Sequence, residues 1–314
     1  MPKLFLRKEQ VPEFVTALKG RHEIPVKFIY MDDGVYIWDR LVGDENYILG
    51  KIELEMLESN MKKILASLKK KVNLIDVGCG NGKKTVPFIK ALSKNHKPVN
   101  YVALDISTEM LALAIKNIRN EIKDNLNTQT FVIDFEEGNF AQITDMLRKV
   151  YYETNFLTML GNTIGNPFDK DRVLANLRES MTFSDYILIG IELIKNEDIE
   201  KILSHYKNDL VYEAGFFCLG KVGVKRTDGE IKVVYNKAKT QVEIYFIFGK
   251  NVITHFAHEK FTLKKGDKIL LLISYKSTKD HLEMLLNKTG FKINLFMLNK
   301  SKDYALVLCQ PKPL

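Results

Sequence analysis

The chain has 314 residues, of which 46% are hydrophobic and 27% are charged, an ordinary composition for one large or two smaller globular domains. No apolar run approaches the roughly 20 residues of a membrane-spanning helix, and the N-terminus has no apolar stretch typical of a signal peptide. Three cysteines lie far apart, which excludes a disulfide framework and a clustered zinc site and favours a cytoplasmic setting.

The formal net charge is +8, a value compatible with binding to nucleic acid or acidic membranes. The lysines are spread along the whole chain, however, and form only short clusters such as residues 69–71. No dense segment of arginine and aromatic residues, of the kind that stacks on RNA, is present. We therefore expect a solvated lysine-rich surface rather than a nucleic-acid or membrane interface; the oligomeric state stays open.

Regular alternation of elements begins after residue 58. Apolar residues at helical intervals predict a helix over residues 53–68. From Val72 onward, strands and helices alternate, which predicts a parallel sheet with both faces covered by helices. The predicted strands are residues 72–77, 101–105, 130–135, 156–160 and 185–193, and the predicted helices are 84–92, 108–122 (capped by Ser107) and 172–181.

The alternation stops near residue 195. A helix over 198–206 and β-like runs over 233–235 and 241–248 follow, and the earlier pattern returns with a helix over 278–288 and strands over 291–298 and 304–308. We interpret the middle stretch as an insertion that packs with the N-terminal segment. The predicted domains are a core of residues 59–194 plus 272–314 and a second, smaller domain of residues 1–58 plus 195–271.

A glycine-rich turn follows the first predicted strand, with glycines at positions 78, 80 and 82. A chain that turns at once from a strand into a helix needs residues that tolerate positive φ or lack a Cβ. A ligand that lies against the backbone needs the same lack of side chains, and the helix start offers free N–H groups. We interpret this turn as a nucleotide-type cofactor site.

Three acids lie at the ends of the first three strands: Asp76, Asp105 and Asp134. Ligands of open α/β sheets bind at the carboxyl ends of the strands. Asp105 lies 23 residues after Gly82, near the spacing of about 20 residues at which an acid reaches ribose hydroxyls. The acids and the glycine turn therefore predict one shared cofactor site.

The spacing of the glycines separates two cofactor classes. A dinucleotide fingerprint reads Gly-x-Gly-x-x-Gly, whereas this turn reads Gly78-x-Gly80-x-Gly82 with Asp76 two residues ahead. That form resembles the first motif of class I methyltransferases, Rossmann-like α/β enzymes that use S-adenosyl-L-methionine (SAM). The resemblance implies that the turn backs the methionine part of SAM, that Asp105 binds the ribose hydroxyls and that Asp134 meets the adenine amino group.

Further segments resemble a narrower family. Lys84-Thr85, Asp134-Phe135 and the segment 160–166 (LGNTIGN) are similar to the histidine-specific methyltransferases. That family contains the ergothioneine-pathway enzymes that trimethylate the α-amino group of histidine, and fungal relatives that act on a prenylated tryptophan. The N-terminal residues Tyr30, Gly34, Trp38, Tyr47 and Glu53 match the same family pattern.

The resemblance implies two sets of site residues. The cofactor set is Asp76, Gly78, Gly80, Gly82, Lys84, Asp105, Asp134 and Phe135. The set that binds the amino and carboxylate groups of an amino acid is Tyr30, Tyr47, Gly161, Asn166 and Tyr206, although the spacing before Tyr206 is slightly longer than in the family. An asparagine suits this role because its amide both donates and accepts hydrogen bonds.

One late motif departs from the family. Where the family has Thr-Glu-x-Ser-x-Lys, with the glutamate and serine on the imidazole of histidine, this chain has Leu271-Leu272-Ile273-Ser274-Tyr275-Lys276. Leu272 cannot accept an imidazole N–H, and an unpaired buried polar group costs about 1–3 kcal/mol. We therefore expect Leu272 and Ser274 to face a side chain less polar than histidine.

These residues predict a SAM-dependent N-methyltransferase that acts on the α-amino group of an amino acid or related small amine. Tyr30 and Tyr47 are the candidate catalytic residues, because either phenol could orient the amine and pass its proton to water. No metal is expected: His255-x-x-His258 lies in a β-like segment without an evident third ligand. The alternatives are a histidine Nα-methyltransferase proper, a methyltransferase that acts on RNA or protein, and a non-catalytic binding protein.

Overall fold

The computed structural model describes residues 4–45, 47–68, 71–95, 99–122, 126–194 and 199–313. In these residues, no helix is both long enough and apolar enough to cross a bilayer. The helices are α1 (Val11–Thr16), α2 (Gly34–Gly43), α3 (Ile48–Ser67), α4 (Val86–Asn95), α5 (Thr108–Glu121), α6 (Ala141–Val150), α7 (Lys170–Glu179), α8 (Ile199–Tyr206), α9 (Asp209–Lys221) and α10 (Lys279–Lys288).

The strands are β1 (Val72–Val77), β2 (Val99–Asp105), β3 (Leu126–Val132), β4 (Thr154–Met159), β5 (Tyr186–Glu192), β6 (Gly229–Asn236), β7 (Gln241–Phe248), β8 (Val252–Phe256), β9 (Glu259–Leu263), β10 (Lys268–Tyr275), β11 (Phe291–Leu298) and β12 (Tyr304–Pro311). All seven strands expected in the alternating part of the chain are confirmed, with ends that shift by a few residues. Short 3₁₀ segments lie at Val26–Tyr30, Lys83–Thr85 and Thr163–Gly165.

The chain divides into two compact units. The core unit comprises Ile48–Gly165, Asp169–Lys195 and Ser277–Leu314, and the second unit comprises Met1–Tyr47, Asn166–Phe168 and Asn196–Lys276. These bounds differ from the expected boundaries at 58/59 and 271/272. The first would cut α3 and the second would cut β10, and both elements are continuous because their internal hydrogen bonds tie neighbouring residues together.

The core unit contains a seven-stranded sheet in the order β11-β12-β5-β4-β1-β2-β3. The five strands from β1 to β5 run parallel, as expected, but β12 pairs antiparallel with both β5 and β11, so the sheet is mixed. Alternate residues of β1 enter different apolar clusters, Leu74 on one face and Ile75 on the other. Helices α3 to α5 contribute to the first cluster and helices α6, α7 and α10 to the second, which confirms that both faces are covered.

A row of asparagines fixes the register of the parallel strands. Asn73 lies directly beside Asn100 and Asn155, and Asn100 lies beside Asn127. Their amides are joined by side-chain hydrogen bonds of 2.8 to 3.2 Å. A slip of one residue would leave the buried amides of Asn73, Asn100 and Asn155 unpaired, at a cost of about 1–3 kcal/mol each.

The second unit has a three-stranded antiparallel sheet, β10-β7-β6, and a β8–β9 hairpin. Helix α9 was not expected from the sequence. It begins after Asn208, whose side chain accepts a hydrogen bond from the Val211 N–H, and it is buried around most of its circumference. A helix that is apolar on several sides shows little amphipathic periodicity, and Gly215 and Gly220 imitate a loop.

Candidate functional site

The glycine turn after β1 has the conformation that its sequence predicts. Gly78, Gly80 and Gly82 have φ angles of +66°, +53° and +73°, a region that residues with a Cβ rarely adopt. The N–H groups of Gly78 and Cys79 donate to the carbonyl of Leu104 at 2.8 and 3.2 Å, which ties the turn to β2. The turn is therefore held by main-chain contacts.

The three glycines differ in what surrounds them. A Cβ on Gly82 would approach the Ala114 carbonyl oxygen of α5 to 3.1 Å, and one on Gly78 would approach the Thr163 methyl group to 3.1 Å. A Cβ on Gly80 would meet no atom within 4 Å. Two glycines therefore serve packing, while Gly80 leaves bare backbone beside open space, as a ligand that lies against the turn requires.

Asp105 is the last residue of β2 and faces this bare backbone. Its side-chain carboxylate accepts hydrogen bonds from the N–H groups of Gly80 at 3.3 Å and Ser107 at 3.1 Å. Burial raises the pKa of Asp105 to about 6, against the opposing effect of these hydrogen bonds. The carboxylate retains lone pairs that can accept from the hydroxyls of a sugar.

Asp76 was expected to bind the cofactor, but its carboxylate is buried among hydroxyl groups of the protein. It is buried within β1, and its carboxylate accepts hydrogen bonds from the hydroxyls of Thr85, Tyr101 and Thr158. Burial raises its pKa to about 6. The geometry makes Asp76 a support that joins β1, β2, β4 and the segment after the turn.

Asp134 lies two residues beyond the end of β3, not at the end of the strand as expected. One of its carboxylate oxygens accepts the Glu136 N–H at 3.0 Å, which closes a small turn. The ring of the neighbouring Phe135 lies 3.5 Å from the position that a Cβ on Gly78 would take. Phe135 therefore lies against the glycine turn.

Lys84 and Gly161 meet at a buried carboxylate that the expected site sets did not include. The ammonium of Lys84 lies 2.6 Å from Glu53, and the N–H of Gly161 donates to both oxygens of the same carboxylate at 2.8 and 2.9 Å. From the sequence, Glu53 matched the family pattern of the N-terminal segment but was given no role in the site. One feature of the sequence could have indicated such a role. Glu53 is an acid on the apolar face of α3, the face that also carries the buried Leu57 and Ile64.

This arrangement fits SAM. Bare backbone at Gly80 and a carboxylate at Asp105 suit a nucleoside, Phe135 offers an apolar surface, and Lys84 can meet the carboxylate of the methionine part. Carboxylates at the strand ends would repel a phosphate, and SAM has none.

Tyr30 and Asn166 lie together in the second unit. The Asn166 side-chain amide donates to the phenol oxygen of Tyr30 at 3.2 Å, and the Tyr30 ring packs edge-on against Trp38 with centroids 5.2 Å apart. The packing fixes the phenol at the end of its 3₁₀ segment. Tyr47 lies half-buried directly before α3, with its N–H on the Asp44 carbonyl at 3.0 Å.

Tyr206 and Ser274 form a second polar group, together with Lys276. The Tyr206 hydroxyl donates to Ser274 at 2.8 Å, and the Lys276 ammonium donates to Tyr206 at 2.7 Å and to Ser274 at 3.1 Å. Lys276 is fully buried. The end of α8 and the end of β10 thus bring two residues of the expected substrate set together.

Leu272 lies in an apolar row beside this group. It shares a face of β10 with Ser274, and its cross-strand neighbours are Ile244 on β7 and then Val233 on β6. Glu243 does not replace the missing glutamate, because it pairs with Ile273 on the other face and accepts hydrogen bonds from Gln241, Asn236 and Tyr245. Burial and the Glu243 contact raise the pKa of Tyr245 to about 12.

Known proteins are similar to this chain in sequence. The family model for histidine-specific, SAM-dependent methyltransferases matches residues 9–311. An Aspergillus flavus protein named N-methyltransferase imqF is 25% identical over 299 residues, which cover 90% of this chain and 79% of that protein. A Mycobacterium tuberculosis protein named histidine N-alpha-methyltransferase is 25% identical over 180 residues, or 57% of this chain and 53% of that protein.

A solved structure matches the fold alone. A magnesium protoporphyrin IX methyltransferase from Synechocystis PCC 6803, with S-adenosylhomocysteine (SAH) bound, superposes with a TM-score of 0.50 at 11% identity and covers 91% of this chain and 98% of that one. The family model, the relatives and this fold agree on a class I, SAM-dependent methyltransferase. The chain belongs to the histidine-specific, SAM-dependent methyltransferase family.

Proposed function

We propose that this methyltransferase transfers a methyl group from SAM to the α-amino group of an amino acid, or of a related small amine, whose side chain is less polar than histidine. The observation that carries the proposal is the composition of one face of β10. Ser274 lies there in a hydrogen-bonded group with Tyr206 and Lys276, and the neighbouring row is made of Leu272, Ile244 and Val233.

SAM supplies the electrophilic methyl group, so the chain must mainly position a neutral amine in line with it. Asn166 suits this role because its amide carries an acceptor oxygen as well as the donor that meets Tyr30. Tyr30 is held by Trp38 and can orient the amine, and Tyr30 or Tyr47 can pass the proton of the amine to water.

The apolar row argues against histidine as the preferred acceptor. A satisfied imidazole needs an acceptor for its ring N–H, and Leu272 offers none, while Ile244 and Val233 extend the apolar surface. An aliphatic or aromatic side chain loses no hydrogen bond at such a face. The cost to histidine is about 1–3 kcal/mol, which corresponds to a preference of about 5- to 150-fold.

The second candidate is a histidine Nα-methyltransferase proper. Ser274 supports it, because the resemblance assigns that position to the imidazole, and one relative carries histidine in its name. A methyltransferase that acts on RNA or protein is a third possibility, supported by the net charge of +8. A small acceptor is favoured over RNA or protein, because the chain has Tyr30, Asn166 and Tyr206, residues typical of amino-acid binding in this family.

Calorimetry with SAM, followed by a panel of free amino acids and amines with detection of SAH, tests the proposal. We expect SAM to bind and SAH to form with one or more apolar amino acids, with the new methyl group on the α-nitrogen by mass spectrometry. The α-hydroxy acid with the same side chain is the matched control and should stay unmodified. If SAM binds but no amino acid or amine in the panel is methylated, the proposal is wrong.

A further inference from the structure

Glu53 is a fully buried carboxylate in the core unit that three hydrogen-bond donors surround. Its oxygens accept from the Gly161 N–H at 2.8 and 2.9 Å, from the Tyr304 hydroxyl at 2.7 Å and from the Lys84 ammonium at 2.6 Å. Lys84 is the only cation among these partners, and its side chain is 27% exposed. One acid of α3 therefore holds two elements that border the proposed cofactor site.

The surrounding sheet leaves space for this carboxylate. A Cβ on Gly190 of β5 would lie 1.9 Å from a carboxylate oxygen of Glu53 and 3.0 Å from the Tyr304 hydroxyl oxygen. Any other residue at position 190 would therefore displace the glutamate. The glycine in β5 and the tyrosine in β12 show that the site accommodates an acid at this depth, which a buried helix position rarely carries.

We propose that Glu53 is a positioning residue of the SAM site, which orients Lys84 and cancels its positive charge so that a cationic cofactor can bind beside it. SAM carries a sulfonium, an ammonium and a carboxylate, and its net charge is +1. Lys84 alone would repel that net charge while it attracts the carboxylate. Paired with Glu53, it can still donate a hydrogen bond, but the pair has no net charge.

The charge difference between SAM and its product gives the proposal a specific signature. SAH lacks the methyl group and the sulfonium charge but keeps the same ammonium and carboxylate. A residue that only supports the fold, or only shapes the binding surface, affects both ligands equally. A residue that cancels the Lys84 charge affects SAM more than SAH, so the ratio of their dissociation constants isolates the electrostatic role.

The test is calorimetric titration of SAM and of SAH, without acceptor, at about pH 8, where carboxylates are ionised. In Glu53→Gln we expect the ratio Kd(SAM)/Kd(SAH) to rise about fivefold to tenfold, because Lys84 keeps its charge without a counterion. In Lys84→Met both constants should rise, but the ratio should fall below that of the wild type. The double variant should return the ratio to near the wild-type value.

Tyr304→Phe is the matched control, because it removes a hydrogen bond from the same carboxylate and leaves both charges in place. Its ratio should equal that of the wild type. An unchanged ratio in Glu53→Gln and Lys84→Met would overturn the proposal, and if Glu53→Gln does not fold, the ratio in Lys84→Met decides alone. Since no acceptor is present, this result is independent of which amine is methylated.

Discussion

The proposed cofactor-binding and acceptor-binding regions of this methyltransferase are built in different ways. The cofactor region uses main-chain geometry and buried acids, with Gly78 and Gly80 held by hydrogen bonds to Leu104 and Asp105 of the adjacent strand. The acceptor region uses side chains that are far apart in sequence: Asn166 meets Tyr30 across 136 positions, and Tyr206 meets Ser274 across 68. The first arrangement depends on backbone conformation and the second on which side chains are present, so we expect single substitutions to change the acceptor more readily than the cofactor.

The largest effect should follow from removing the charge of Asp105. In Asp105→Asn the ribose hydroxyls lose a charged acceptor, and we expect the dissociation constant of SAM to rise about 100-fold. Isothermal calorimetry measures this change directly. Asp280→Asn, in the exposed first turn of α10, is the matched control, and equal SAM affinities in both variants would contradict a cofactor role for Asp105.

Asn166→Ala should weaken binding of the acceptor and leave binding of SAM unchanged. It removes the donor to Tyr30 and an amide expected to contact the amino acid. We expect KM for the acceptor to rise about thirtyfold while the SAM dissociation constant stays within about twofold. Asn294→Ala, an exposed amide on β11, controls for general effects. A loss of SAM affinity in Asn166→Ala would remove the distinction between the two regions.

The pH dependence of SAM binding should follow Asp105. Its carboxylate must be ionised to accept from two hydroxyls, and burial raises its pKa to about 6. The SAM dissociation constant should be flat above about pH 7 and rise up to about tenfold per unit below 6. Titrations at several pH values measure this profile, and a flat profile down to pH 5 would show that ionisation of Asp105 does not matter.

The raised pKa of Asp105 affects the stability of the cofactor-free protein in the opposite direction: a higher pH favours SAM binding but lowers the free energy of unfolding. Because the pKa of Asp105 lies above its ordinary value of 3.8, its contribution to stability is complete below that value and is lost as the pH rises through about 6. Between pH 4 and 7 the wild type should lose up to about 3 kcal/mol of unfolding free energy relative to Asp105→Asn. Urea denaturation of both proteins tests this, and parallel pH curves would contradict it.

The smallest effect should come from Tyr206→Phe. The change removes a hydroxyl that accepts from Lys276 and donates to Ser274, but it keeps the ring. We expect KM for the acceptor to rise about fivefold with unchanged SAM affinity. Tyr36→Phe, at a side chain that is 63% exposed, should change neither quantity. Identical kinetics in the two variants would place Tyr206 outside the acceptor site.

The sequence predicts the conformation of the glycine turn for a physical reason. Strand and helix periods are local, and the glycines at 78, 80 and 82 must occupy positive φ, so the motif encodes its own geometry. The roles of Asp76 and Glu53 depend on burial and on partners far along the chain, which no local pattern reports. Helix α9 was not predicted, because a helix that is apolar on several sides lacks the amphipathic periodicity by which helices are recognised.

We propose that position 272 sets the preference for the acceptor side chain. Leu272→Glu restores a hydrogen-bond acceptor beside Ser274. The quantity to measure in this variant is the ratio of kcat/KM for histidine to kcat/KM for the best apolar amino acid. We expect this ratio to rise about tenfold or more, while Leu272→Met leaves it near the wild-type value. An unchanged ratio in a folded Leu272→Glu variant that still binds SAM would show that position 272 does not set this preference.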